Sequence, residues 1–484
     1  MKLAFQFWKI LTPAQKRSAA GLFGFMILST LFEMLGIGLI LPGLTILAGA
    51  KPSPEPGWRT SVLAALGNPS RMQVIAWGAL GLLGIYLLKA AVVLLATYRQ
   101  AGFVRQLDRD ICERLFRTYL TQPWSMHLRR NSAEMIRNIT SAAGIADACA
   151  STLNAAAEAM ILSGVGLVLL WLDPLATIVV GSLAAASTWA LDRVFSRRSR
   201  RWGELRHEHH GRLTKTVQEG LGGVKDAKMR GCEEHFVEEF SRHAAMVATA
   251  CQRQAFVFVV PRLWHELAGV AALCLLTLIL MWQGKPLEAF IPTLGVFAAA
   301  GFRMLPAINR LSNALQLMNY WSPTVETTAG ELARQPSVEA AGGDDTLPFR
   351  DRIALEGVGF AYDGAAARAL DGVNLVVPYG SSVGIVGSSG AGKSTLVDLI
   401  LGLLAPSEGR VLVDGVDIAG RERAWRRSVG YVPQSIYLCD DTIRANVAFG
   451  IPAAEIDEGA VARAIRAARL DDFVAELPEG LGTL

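Results

Sequence analysis

The run Gly387-Ser388-Ser389-Gly390-Ala391-Gly392-Lys393-Ser394-Thr395 has the residue types and spacing of a phosphate-binding loop. It satisfies the pattern GxxxxGKS/T. Its surroundings agree: the apolar run Ser382–Val386 predicts a strand entering the loop, and Leu396–Leu404 predicts an apolar helix leaving it. Glycines let the backbone fold into a nest whose amides all point at phosphate oxygens. The helix amino terminus adds the positive end of its dipole. On this reading Lys393 reaches the β- and γ-phosphates and the Ser394 hydroxyl ligates magnesium, so ATP and Mg2+ are the expected cofactors. The alternative is a chance match, against which the strand and helix on either side both weigh.

Two further residues fit the same chemistry. Tyr362, in Phe360-Ala361-Tyr362-Asp363, lies upstream of the loop, where its ring could stack on an adenine. Gln434, in Tyr431-Val432-Pro433-Gln434, follows another apolar run that predicts a strand, and its amide could reach magnesium and the attacking water. By position alone Tyr362 is equally a strand aromatic, and Gln434 equally a loop glutamine.

The elements that must position these residues fall into two compositional halves. Downstream, Ile353-Ala354-Leu355 and Asn374-Leu375-Val376-Val377 are short β-rich runs, so residues 350–484 read as an α/β nucleotide-binding domain. Residues 331–349, with Gly342-Gly343-Asp344-Asp345, have the composition of a linker. Upstream, residues 1–330 hold six stretches long and apolar enough to cross a bilayer: Gly21–Leu47, Val74–Tyr98, Leu153–Leu172, Leu175–Leu191, Phe256–Trp282 and Leu287–Met318. A signal peptide is the alternative for the first, since Ala48-Gly49-Ala50 mimics a cleavage site, but the run is far longer than the ~7–15 residues of a signal core.

Arginines set the orientation. They crowd the segment between spans two and three (Arg99, Arg105, Arg109, Arg114, Arg117) and that between spans four and five (Arg193, Arg197, Arg198, Arg200, Arg201). Asp173-Pro174 is nearly all that joins spans three and four, and Lys285 is the basic residue between five and six. The amino terminus, both long loops and the carboxyl-terminal domain therefore face the cytoplasm. Within the first long loop Leu107, Ile111, Leu115 and Tyr119 recur at helical spacing, and Val237 and Phe240 repeat the pattern in the second. Spans four and five are thus expected to run on as helices beyond the membrane. A charged face solvated against anionic headgroups is the competing reading of these loops.

Bulk properties narrow the classes. Hydrophobic residues are 51% of the 484 and charged residues 19%, below the ~25% usual for soluble domains. The net charge of +4 is concentrated in the loops rather than on a soluble face, which argues against a nucleic-acid partner. The six cysteines, Cys112, Cys149, Cys232, Cys251, Cys274 and Cys439, form no CxxC pair and read as small apolar residues in a reducing compartment.

Six spans with two long cytoplasmic loops, followed in order by FAY, GSSGAGKST, YVPQ and TIRANVAFG, resemble the ABC exporters with six helices per subunit. The resemblance covers essentially the whole chain. It implies a membrane all-α six-helix domain joined to an α/β P-loop nucleotide-binding domain. Tyr362 would be the adenine-stacking aromatic, Gly387–Thr395 the Walker A loop, and Gln434 the Q-loop residue linking the ATP site to the membrane helices. Coupling helices would lie near Trp124–Arg130 and Glu219–Gly223, and ATP would be bound between two copies of the chain, a homodimer in the cytoplasmic membrane. Phe32–Pro42 and Glu219–Lys228 resemble flippases for lipid-linked oligosaccharides, which implies a lipid-linked or amphipathic cargo.

One departure from the family stands out. Before Leu484 there is no LSGGQ-like segment, no apolar strand ending in Asp-Glu and no switch histidine. The sequence is therefore expected to be a fragment of a longer product, its nucleotide domain incomplete and inactive by itself, with natural truncation as the alternative. Two other functions stay open: an exporter of peptides or other lipids, and a membrane regulator that binds ATP without turnover. Glu33, Arg262, His265, Glu266 and Arg303 fall inside the apolar spans and are expected to line the cargo path, with a structural Glu33–Arg303 pair as the alternative.

Overall fold

The computed structural model describes residues 11–47, 71–141, 143–283, 287–333, 346–365 and 367–484. The chain divides into two compact units, Met1–Val338 and Glu339–Leu484. Most of the expected linker, the Ala48-Gly49-Ala50 segment and Lys285 lie outside the described residues.

The first unit is helical: α1 (Pro13–Leu47), α2 (Arg71–Leu120), α3 (Trp124–His127), α4 (Ser132–Thr140), α5 (Ala143–Leu172), α6 (Pro174–Gly222), α7 (Val224–Arg230), α8 (Glu233–Trp282) and α9 (Leu287–Ala333). Among the described residues four stretches are long and apolar enough to cross a membrane: Ala79–Leu120, Ser132–Trp171, Pro174–Gly222 and Glu233–Trp282. The first and sixth expected spans fall on α1 and α9, whose side chains at 35–47 and 287–293 lie outside the described residues, as does that of Glu33.

Local chemistry sets the breaks between these helices. The Asp173 carboxylate accepts the Ala176 backbone N–H at 3.1 Å and Pro174 takes the first helical position, so α6 restarts within two residues of the end of α5. From there α6 continues for 49 residues and α8 for 50, about 75 Å each, so spans four and five do run on beyond the membrane. The short helix of the second loop is α7, ended by left-handed Gly231 at φ 64°. Glu219–Gly223, expected to form that short helix, instead completes α6 and the turn after it.

The stripe Leu107, Ile111, Leu115 and Tyr119 is buried and packs with Leu22, Ile145, Ala148 and Val325. Arg105, Arg109 and Arg117 point outward from the same helix. Stripe and solvated face are therefore two sides of one helix. Val237 and Phe240 differ, being exposed on α8 with no equivalent core around them.

α6 and α9 run in parallel with their backbones nearly touching. A Cβ added at Gly203 would stand 2.0 Å from the Tyr320 carbonyl oxygen. A polar seam accompanies this approach: Ser199 donates to Gln316 at 2.9 Å, Gln316 to Asp192 at 3.3 Å, and Asn319 to Ser196 at 2.8 Å. Farther along, Arg200 grips Glu326 with two bonds of 2.9 and 2.8 Å. Arg310 likewise forks onto Glu158, tying α9 to α5.

The second unit contains β1 (Arg352–Phe360), β2 (Leu370–Pro378), α10 (Lys393–Ile400), β3 (Glu408–Val413), β4 (Val416–Asp417), α11 (Glu422–Arg426), α12 (Ile443–Val447), α13 (Glu458–Ala467) and α14 (Asp471–Glu476). Its strands form an antiparallel sheet in the order β2-β1-β3-β4, with Leu355 paired to Leu375 on one side and Val411 on the other. The core beneath holds Leu355, Val358, Leu399, Val411, Val413 and Trp425.

Two expected strands are absent from this sheet. Ser382–Val386 and the run before Gln434 have no strand pairing, and Val386 and Val432 are 93% and 86% exposed. β-propensity alone does not make a strand: its N–H and C=O groups need a neighbouring ladder, and among the described residues neither segment has one.

Asp414 ties the sheet to its entry. It sits at φ 50°, and its carboxylate accepts the backbone N–H groups of Arg350, Asp351 and Arg352 at 2.7, 2.8 and 2.9 Å. Burial would push this carboxyl up, but the three donors and the Arg350 charge outweigh it and hold it below the usual aspartate range. A depressed value means stability that is present above the ordinary aspartate pKa and is lost as pH falls through the folded one. Asp414→Asn keeps a side chain that tolerates the left-handed region but removes the charge and one acceptor. We expect the variant to unfold more readily at neutral pH and to lose part of the acid dependence. Thermal unfolding followed from pH 7 downward checks this; parallel curves for both proteins would contradict it.

Candidate nucleotide-binding site

The loop 387–395 follows β2 and runs into the first turn of α10, exposed along most of its length. Gly390 and Gly392 both adopt φ 83°, the left-handed region that turns successive amides toward one side. Gly392 is also sterically required, since a Cβ there would stand 2.6 Å from the Ala369 carbonyl oxygen. β2 therefore backs the loop at its last turn.

Lys393 opens α10 and folds back over the loop, its Nζ donating to the carbonyls of Gly387 at 2.9 Å and Ser388 at 2.7 Å. The ammonium thus already lies over the cradle, held by carbonyl oxygens that can share it with a phosphate. Ser394 is exposed beside it, and Thr395 is buried. The Tyr362 hydroxyl bonds Thr395 Oγ1 at 3.0 Å, and its ring meets Phe360 edge-on at 4.9 Å. Tyr362 is therefore fastened to the first turn of α10, which the sequence alone left undecided. Gln434 stands on an exposed bend, and the structure shows no contact between it and the loop.

These residues fit a nucleoside triphosphate. The nest, the cation over it and the free hydroxyl of Ser394 are the donor set that polyphosphate and its counter-ion need. Downstream, Asn446 braces the segment after Gln434, its side chain donating to the carbonyls of Cys439, Asp441 and Thr442 at 3.1 Å each. Thr442 caps α12 by accepting from Ala445 at 3.2 Å. That is the local reason the run Thr442–Gly450 turns helical where it does.

In the membrane half the structure separates residues that their spacing grouped. Arg262 and Glu266 pair at 3.1 Å and are exposed. His265 turns away from them and is buried, with Nδ1 2.6 Å from Asn309 Oδ1 and Nε2 3.3 Å from Thr188 Oγ1. The three therefore do not form one cargo-facing face. The polar partners on α6 and α9 carried no sequence signal, because pairing across helices more than 40 residues apart leaves no local pattern.

Known proteins place this architecture. The family pattern described as ABC transporter matches residues 370–481, and that described as ABC transporter transmembrane region matches residues 22–281. An ATP-dependent lipid A-core flippase of Thiobacillus denitrificans is 28% identical over 418 residues, covering 85% of this chain and 71% of its own. A protein of the same description from Cupriavidus metallidurans is 33% identical over 313 residues, covering 63% and 52%. The structure of a bacterial Atm1-family ABC exporter with ATP bound superposes with a TM-score of 0.76 at 20% identity, over 98% of this chain and 80% of that one. The chain belongs to the ABC transporters, as a multi-pass transmembrane region fused to an ATP-binding ABC ATPase domain in the manner of the exporters.

Proposed function

We propose that this chain is a subunit of an ATP-driven flippase moving a lipid-linked or amphipathic substrate across the cytoplasmic membrane as a homodimer. The observation that carries the reading is the single continuous similarity to lipid A-core flippases, which runs through both the helical unit and the phosphate loop. The geometry supports it: a cation-capped nest for ATP lies in one unit, and the other is built of helices long enough to carry motion out of the bilayer.

In the proposed site the loop amides and Lys393 hold the terminal phosphates, and the ring of Tyr362 lies against the base. Ser394, with Gln434 if its segment reaches the loop, would hold Mg2+, which would supply positive charge against the phosphates.

The test is reconstitution of the complete gene product in sealed liposomes, with a fluorescent lipid-linked glycan in the outer leaflet and ATP added outside. We expect ATP-dependent loss of outer-leaflet label. ATP-dependent accumulation of an amphipathic peptide without lipid movement would replace the flippase with a peptide exporter. ATP binding without any hydrolysis would replace it with a regulator.

A further inference from the structure

We infer that His209 on α6 and His243 on α8 form a proton-operated clasp between the two long helices, shut while one proton lies between the facing nitrogens and open once each carries its own. Their Nδ1 atoms are 2.9 Å apart, with ring centroids at 5.0 Å and planes at 49°. Two nitrogens at that distance need one donor and one acceptor, and an imidazolium can only donate. The contact therefore survives one Nδ1 proton and not two.

The stretch is rich in groups of this kind. Five of the seven histidines, His207, His209, His210, His235 and His243, fall in it. At 1.5 Å per residue, His209 lies about 27 Å along α6 from Leu191, and His243 about 20 Å along α8 from Phe256, so both stand clear of the apolar spans. His243 is buried, so water does not take over the bond if it breaks. Glu239, one turn earlier, stands 3.5 Å from its Nε2 and favours a proton there. That leaves His243 Nδ1 as the acceptor and His209 Nδ1 as the donor.

The charges facing the pair do not absorb a second cation. On α6, Glu208 and Arg212 offset each other at 2.6 Å. On α8, Arg242 is 2.9 Å from Glu239, which also has exposed His235 at 3.9 Å. Burial, then the facing His243, hold the His209 imidazole below its ordinary value, with Arg212 and Arg242 adding to this and Glu208 opposing it. A freed imidazole takes a proton near pH 6.5, roughly. Protons thus favour the open form: the clasp is stable above that pH and is lost as pH falls below it.

α7 joins the two helices at their tip, about 20 Å beyond His209 along α6. While the clasp is shut the pair moves as one piece, and once it opens the tip can splay. Both rings belong to one chain, so a second copy docked alongside neither supplies nor removes the contact.

Backbone hydrogen exchange of the purified chain, without nucleotide or cargo, reads the clasp independently of the flippase reading. Rates are corrected for the intrinsic pH dependence of exchange. Protection of the amides around His209 and His243 should fall about tenfold between about pH 7.5 and 5.5, the size expected of one hydrogen bond, while the Leu107–Tyr119 stretch of α2 stays unchanged. His207 and His210 do not interfere, because burial holds both low, His207 at about 4. His209→Gln supplies an amide that donates or accepts without titrating, and should keep protection level across the range. His209→Leu leaves His243 Nδ1 unpartnered and should show low protection at both pH values. Circular dichroism would confirm that both variants are folded. Unaltered protection of the parent at the lower pH, the same pH response in His209→Gln, or full protection in His209→Leu would each overturn the clasp. An equal loss in the α2 stretch would overturn it too, as general loosening by acid.

Discussion

Lys393→Ala should abolish ATP-driven transport by the complete protein while leaving its membrane insertion unchanged. The lysine is the sole side-chain cation in the loop 387–395, and its Nζ already rests on the Gly387 and Ser388 carbonyls over the cradle. A phosphate arriving there exchanges water for a charge-assisted contact in a partly enclosed nest, and removing such a contact costs ~3 kcal/mol. That corresponds to about a hundredfold loss in turnover, more if the charge acts chiefly as the γ-phosphate departs. The two carbonyls left behind are at the surface and can bond water, so folding is not at risk. Phosphate release and lipid movement in sealed vesicles, beside circular dichroism of the same sample, are the measurements. Transport that persists at the wild-type rate would remove Lys393, and this loop, from the mechanism.

The second large effect is expected far from any nucleotide, at Gly203. An alanine methyl there would meet the Tyr320 carbonyl oxygen at 2.0 Å, and neither partner is a flexible side-chain end. α6 and α9 must separate, which strains the bonds from Ser199 to Gln316 and from Asn319 to Ser196 on the same face. Forced overpacking costs about 1–3 kcal/mol, and a rigid backbone contact belongs at the upper end of that range. Gly181→Ala on the same helix is the control: its methyl meets nothing within 4 Å, and losing a mid-helix glycine is worth roughly 0.5–1 kcal/mol in favour of the fold. Thermal unfolding in detergent should therefore move in opposite directions for the two variants. A Gly203→Ala protein as stable as its parent would mean that the two helices do not touch as described.

These two residues also mark how far a sequence can be read. Lys393 was legible because its meaning is local: GKS follows the glycines within one loop, and a helix must begin there. The stripe Leu107, Ile111, Leu115 and Tyr119 was legible for the same reason, as a helix writes its buried face into every fourth position. Gly203 was not, since its partner Tyr320 is distant in the chain and nothing near either residue names the other. Tyr362 lay between these cases: its position suggested the site, and the bond to Thr395 is what fastens it there. Ser382–Val386 shows the opposite failure. Its composition is that of a strand, but a strand is a relation between two segments, and among the described residues the second is missing.

The unbroken length of α6 has a mechanical consequence. A rod of 49 residues is about 74 Å long, so a tilt of only about 5° at its apolar end sweeps the other tip through roughly 6 Å. The cross-ties from Ser196, Ser199 and Arg200 to α9 join two such rods side by side, as struts join the chords of a truss, and stiffen the pair against bending. Displacements made at one end then arrive at the other enlarged and undamped, and the pivot rather than the rod is where a mutation would alter the stroke.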